Sequence, residues 1–137
     1  MPSGETRKVL EEYEFGNTPM TEILADNAEY TLMATGQTAK GREAVLSLLK
    51  NFYREAFSNT GTDVRYVAAD EEKHVGFIEF TFKGTHTGEF LGIRPTQRTV
   101  ELQMLNAYEV ENGKIQKARI YFDMGTLLRQ LGPSSSP

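Results

Sequence analysis

The sequence predicts an α+β domain, with helices first and then a run of long antiparallel strands, the helices packing on one face of a curved sheet. Three observations carry this. Arg42–Phe57 places Val45, Leu48, Leu49, Phe52 and Ala56 at helical spacing, an apolar stripe wide enough to cover a sheet. Val75–Thr87 and Thr99–Glu111 alternate apolar and polar side chains, as a half-buried strand does. Glu111-Asn112-Gly113-Lys114 then reads as a tight hairpin, because Asn-Gly suits the positive φ angles of a type I′ turn.

The remaining elements follow in order. Met1–Gly4 is polar and expected to fray. Glu5–Phe15 sets Val9, Leu10 and Tyr13 on one side and charges on the other, a short amphipathic helix ended by Gly16-Asn17. Thr18-Pro19 suits an N-cap followed by proline at the first helical position, opening a brief helix over Met20–Leu24. Asp26–Ala28 is turn-like, Glu29–Ala34 reads as a strand with Tyr30 and Leu32 on one face, and Gly36 to Gly41 as a loop. Ser58–Thr62 breaks the long helix, and a strand follows over Val64–Ala69. Asp70–Lys73 is a charged turn and Gly88–Gln97 a long loop. Ile115–Asp123 is the last strand, running straight into a helix marked by Leu127, Leu128 and Leu131. Residues 1–132 read as a single domain, and Pro133–Pro137 as a disordered tail.

At 137 residues the chain suits one hydrophobic core. Its net charge of −4 and the lack of any Lys/Arg-rich run argue against a nucleic-acid partner. No apolar run approaches bilayer length, so no membrane partner is expected, and a soluble cytoplasmic protein is the default expectation. Without cysteine there is no thiolate metal site and no Cys nucleophile, and His74 and His86 are too few for a histidine-rich metal site. Phosphate-loop, dinucleotide, serine-hydrolase and zinc-protease motifs are also missing.

Two residues stand out for chemistry. His86 continues the apolar face of Ile78, Phe80 and Phe82 past Gly84, so it faces either a concavity or the core. Asp123 sits where the last strand meets the last helix. There it is either a helix cap or a pocket carboxylate whose pKa apolar neighbours raise, poised as a general acid or base. Arg119, Tyr121 and Asp123 share one strand face, and Ala118, Ile120 and Phe122 the other. Asn106 lies among the apolar positions of its strand, and Tyr13, Tyr30, Tyr53 and Tyr108 could add hydroxyls to a pocket.

GTHTGEFLGIRPTQR (Gly84–Arg98), YEVENGKI (Tyr108–Ile115) and IYFDMGTLLRQLG (Ile120–Gly132), with GREAV (Gly41–Val45) as a weaker match, resemble the polyketide-cyclase-like (SnoaL-like, ester cyclase) branch of the NTF2-like superfamily. The resemblance covers roughly Arg7 to Gly132. It implies a cone in which a strongly bent antiparallel sheet wraps about three helices around a pocket, with homodimers formed through the sheet. It also implies an aspartate on the last strand acting as acid/base in an intramolecular aldol closure, without metal or cofactor. Asp123 matches that aspartate, which would turn Arg119, Tyr121 and Asp123 inward, and His86 matches the motif histidine. On this reading Asp123 and His86 are catalytic. Tyr30, Tyr53, Asn106, Tyr108, Arg119 and Tyr121 contact a hydrophobic small molecule. Where the cyclases carry a histidine on the penultimate strand this chain offers Asn106 and Tyr108, and Leu32 stands where the ketosteroid-isomerase branch has its base. The alternative expectation is a non-catalytic ligand-binding or dimerisation module.

Overall fold

The computed structural model describes residues 4–132, so the expectations for Met1–Ser3 and for the tail 133–137 fall outside it. Six strands form one curved, unclosed sheet in the order β2-β1-β6-β5-β4-β3. They are β1 (Leu24–Leu32), β2 (Gln37–Lys40), β3 (Phe57–Asp70), β4 (Val75–His86), β5 (Thr99–Glu111) and β6 (Lys114–Tyr121). The helices are α1 (Glu5–Phe15), α2 (Met20–Ile23), α3 (Arg42–Lys50), continued by a π-helical turn over Asn51–Ala56, and α4 (Met124–Leu131). All neighbouring strands pair antiparallel except β1, which runs parallel to β6. No helix among the described residues is long and apolar enough to cross a membrane.

The long alternating strands stand where the pattern put them. On β5 every second residue from Val100 to Val110 is buried: Val100, Leu102, Met104, Asn106, Tyr108 and Val110. Their β4 neighbours Ile78, Phe80 and Phe82 continue that face. Asn112 and Gly113 both have positive φ, as the hairpin turn requires.

Four boundaries differ from the sequence reading. β1 absorbs the expected turn at Asp26–Ala28, because a register shift between Leu24 and Glu29 lets exposed Asp26 and Asn27 bulge without ending the strand. β2 (Gln37–Lys40) replaces most of the expected loop from Gly36 to Gly41. It is a polar edge strand with no apolar alternation to betray it, held by pairing to β1. β3 begins at Phe57 rather than after a break, with register shifts at Ser58/Gly61 and Val64/Tyr66. Finally, α2 is capped by Pro19, because Thr18 donates its N–H and hydroxyl to Glu12 Oε2 at 3.0 and 2.6 Å.

α1 matters most for the site, and two contacts fix it. Leu10 seats over Gly76 of β4, where a Cβ would lie 2.7 Å from Leu10 Cδ1 and 2.6 Å from the Ala68 carbonyl oxygen. The Glu71 carboxylate, from the β3–β4 turn, accepts the Thr6 and Arg7 N–H groups at 2.8 and 3.0 Å. An acid at a helix N-terminus satisfies orphan donors and suits the helix dipole. We expect Gly76→Val to destabilise the protein by about 1–3 kcal/mol, an overpacking penalty, measured by urea unfolding. A neutral result would mean that α1 does not rest on that glycine.

Candidate functional site

The largest cavity has a volume of about 710 Å³ and opens between the helices and the concave face of the sheet. α1 contributes Tyr13 and Glu14, and α2 contributes Met20. α3 and its π turn supply Leu46, Leu49, Lys50, Tyr53 and Arg54, and the strands Thr62, Phe80, Asn106 and Tyr108. Leu49 and Tyr53 also border a smaller apolar void of about 60 Å³, whose far wall includes Leu32, Phe52, Phe90, Met104 and Ile120.

Polar atoms converge on one side of the cavity. The Tyr30 hydroxyl donates to the Tyr13 hydroxyl at 2.9 Å, and Asn106 Nδ2 donates to the Tyr108 hydroxyl at 3.1 Å. The Tyr13 and Tyr30 rings both meet Tyr108 edge-on, with centroids 5.6 and 6.4 Å away. Asn106 Oδ1 is buried without a hydrogen-bond partner among the described residues. Whichever way the amide is turned, one of its ends bonds Tyr108 and the other is left for the cavity. A buried, unpaired polar atom on a cavity wall is a natural contact for a ligand.

Glu14 is the one carboxylate on the cavity lining among the described residues. Burial pushes its pKa above the usual carboxylate range. Burial likewise pushes the Tyr13, Tyr53 and Tyr108 hydroxyls up, and the Glu14 charge adds to the rise for each. Tyr30 is raised by burial and by Tyr108. At neutral pH the tyrosines are therefore hydrogen-bond donors. No three His, Cys, Asp or Glu side chains gather as metal ligands among the described residues.

Of the residues singled out in the sequence, Tyr13, Tyr53, Asn106 and Tyr108 line the cavity, and Tyr30 stands behind Tyr13. The other four lie elsewhere. β6 buries Ala118 and Ile120 and turns Arg119 and Tyr121 to the outer face, the reverse of the parity expected from the resemblance. There Arg119 pairs with Glu109 at 3.1 Å, and Tyr121 is 40% exposed.

Asp123 is the N-cap of α4, its side chain 73% exposed and outside the cavity. Its Oδ2 accepts the Thr126 hydroxyl at 2.6 Å and the Thr126 N–H at 3.0 Å. Those bonds, with Arg129 nearby, hold its pKa below the usual range rather than above it. A cap needs only an acceptor, so Asp123→Ala should lower the melting temperature while Asp123→Asn keeps it near wild type. Equal losses in both variants would mean that the charge itself carries the role.

His86 is fully buried and lines none of the cavities described above. Thr96 donates its N–H to His86 Nδ1 at 3.1 Å, so Nδ1 is an acceptor and the proton of the neutral ring is on Nε2. The His86 backbone bonds the same loop, through Arg98 O at 2.8 Å and Gln97 N at 2.9 Å. The backbone at Gly84 is covered by Phe57 and the Phe82 ring, so the face there is core and not a concavity. His86 is thus a core staple for residues 88–97 instead of a pocket group.

Glu14 was missed as a functional residue. A signal was present: it follows Leu10 by one helical turn and so belongs to the buried stripe of α1.

Solved structures share this architecture. IdmH from Streptomyces antibioticus, described as a candidate polyketide cyclase, is 26% identical, with a TM-score of 0.68 over 96% of this chain and 99% of that one. A candidate SnoaL-like polyketide cyclase from Jannaschia sp. CCS1 is 13% identical, with a TM-score of 0.82 over 96% and 94%. A Catenulispora acidiphila protein with a ketosteroid isomerase-like fold, solved with trimethylamine, is 17% identical, with a TM-score of 0.67 over 100% and 99%. No curated protein sequence matches the chain. The family model for SnoaL-like polyketide cyclases matches residues 9–131, and the chain belongs to that family.

Proposed function

We propose that the protein is an acid/base enzyme acting on a hydrophobic small molecule in the tyrosine-lined cavity, with Glu14 as the group that moves the proton. The observation that carries this is a single carboxylate of raised pKa on the wall of a cavity that also presents apolar side chains and tyrosine hydroxyls. Family membership supports carbonyl chemistry of the aldol type. Glu14 would take a proton from the carbon next to a carbonyl, and the electron pair would move onto the carbonyl oxygen. Tyr13 and Tyr108 accept hydrogen bonds from Tyr30 and Asn106, which leaves their own hydroxyl protons free to stabilise that oxygen. The resulting carbanion would attack a second carbonyl of the same molecule, and the new alkoxide would recover the proton.

The test is deuterium exchange at the α-carbon of benzo-fused cyclic ketones, with 2-tetralone as the first probe, followed by NMR in D₂O. Exchange above the buffer rate is expected from the wild type. Tight binding of such ketones without any exchange would overturn the catalytic reading and leave a binding protein.

The same reading includes a homodimer through the outer face of the sheet. Tyr66 is 57% exposed and Tyr121 40%, and Phe77, Leu105 and Ala107 lie half-buried near them. The Arg65–Glu79 and Arg119–Glu109 pairs stand on the same face. A contiguous apolar patch framed by charges suits a protein partner. Native mass spectrometry should show a dimer that Leu105→Arg converts to monomer. A monomeric wild type at micromolar concentration would refute this assembly.

A further inference from the structure

We infer that the ligand of this cavity carries an anionic group, a carboxylate or a similar acidic oxygen, held at the cavity mouth by Arg54 and Lys50. The inference rests on the cavity being the ligand site. Lys50 and Arg54 are four residues apart on the helix that walls the cavity, both line it, and both are exposed. That spacing sets two cations on one helical face, turned towards the opening.

Neither cation is committed elsewhere. Arg7, Arg42, Arg65, Arg119 and Arg129 each have a carboxylate within 4.0 Å, whereas Arg54 has none among the described residues. Lys50 has only Glu55 at 3.9 Å, with both side chains well exposed, a pairing of little strength. Cations in the last turns of a helix often bond its terminal carbonyls, yet neither residue donates such a bond here. The protein as a whole carries a net charge of −4, so a cationic mouth runs against its overall balance.

The acid of the site, Glu14, comes from another helix, α1. The cavity therefore carries its acid on the α1 wall and its cations on the α3 wall, with Tyr53 between Lys50 and Arg54 in the chain. A ligand that fits both walls has an acidic group at one end, an apolar body against Leu46, Leu49 and Phe80, and its reacting carbonyl near the tyrosines. An arginine is well suited to the acidic end, since its planar fork matches a carboxylate.

The experiment uses two fluorescent probes of the same skeleton, 1-anilinonaphthalene-8-sulfonate and its neutral parent N-phenyl-1-naphthylamine. They are titrated into wild type, the Lys50→Gln/Arg54→Gln double variant and Leu46→Trp, which fills the cavity. The double variant should bind the sulfonate roughly tenfold more weakly, about 1.4 kcal/mol, and bind the neutral probe as wild type does. Leu46→Trp should lose both probes. Unchanged sulfonate affinity in the double variant, an equal loss for both probes, or sulfonate binding that survives Leu46→Trp would each overturn the inference while the cavity reading stands on the neutral probe. If neither probe binds wild type, the cavity reading falls and this inference falls with it.

Discussion

Replacing Glu14 with glutamine should lower turnover by about 10²–10⁴-fold, the usual worth of a positioned general base, while ligand affinity changes little. Glutamine keeps the shape and a hydrogen-bonding end but cannot take the proton. The rising limb of the pH–rate profile should also lie above the range of a free glutamate, because burial raises the Glu14 pKa. Stability should move the other way. A carboxyl group whose folded pKa is raised binds more protons when folded than when unfolded between the two pKa values. Its charge therefore lowers stability as pH rises through that window, and the cost persists at neutral pH. Glu14→Gln removes this cost, so the variant should unfold at the same or higher urea concentration than wild type at pH 7. A less stable and fully active variant would assign Glu14 to structure.

His86→Ala is expected to have the largest effect on stability, about 2–4 kcal/mol, from the cavity it leaves and the unpaired Thr96 N–H. His86 is fully buried, its ring centroid lies 5.5 Å from that of Phe57, and its Nδ1 ties down the chain at Thr96. Its pH signature has a definite sign. Burial lowers the folded pKa of the imidazole, and the nearby Gly88 backbone offsets only part of that. The unfolded chain then binds the proton more readily, so the stabilisation is present above the ordinary histidine pKa and is lost as pH falls below it. The limiting slope is about 1.4 kcal/mol per pH unit for one proton. His86→Asn can still accept from Thr96 N–H but does not titrate there, so it should recover part of the stability and flatten that slope. Stability independent of pH in wild type between pH 5 and 7, where ~6.5 is the unperturbed value, would contradict this assignment.

The strands of the sheet were legible because alternation is a local property. β4, β5 and the Asn112-Gly113 hairpin need only their own residues to declare themselves. β2 and the start of β3 were not, since an edge strand and a bulged strand owe their form to a neighbour. The site divides along the same line. Asn106 and Tyr108, which line the cavity, were singled out by their place on an apolar strand face, and Tyr53 only as a tyrosine able to offer a hydroxyl. Asp123 was misplaced because β6 mixes polar and apolar residues on both faces, and local parity could not say which was inside. Pairing with β1 and β5 decides it and buries Ala118 and Ile120. His86 was placed on the correct face, but that face there is filled by Phe57, a residue of another strand. Glu14 was passed over because a glutamate near the end of a charged helix resembles its exposed neighbours, although it shares the stripe of Leu10 and Tyr13.

The proposed mechanism requires Glu14 to be the half-buried acid of the cavity wall. The most direct test is the ionisation of that one side chain, followed by carboxyl ¹³C NMR with and without N-phenyl-1-naphthylamine. The account expects a midpoint above that of an exposed glutamate, rising further when the neutral probe fills the cavity and removes more solvent. A midpoint at or below the ordinary value that does not move on probe binding would contradict it, and would place the proton-transferring group elsewhere.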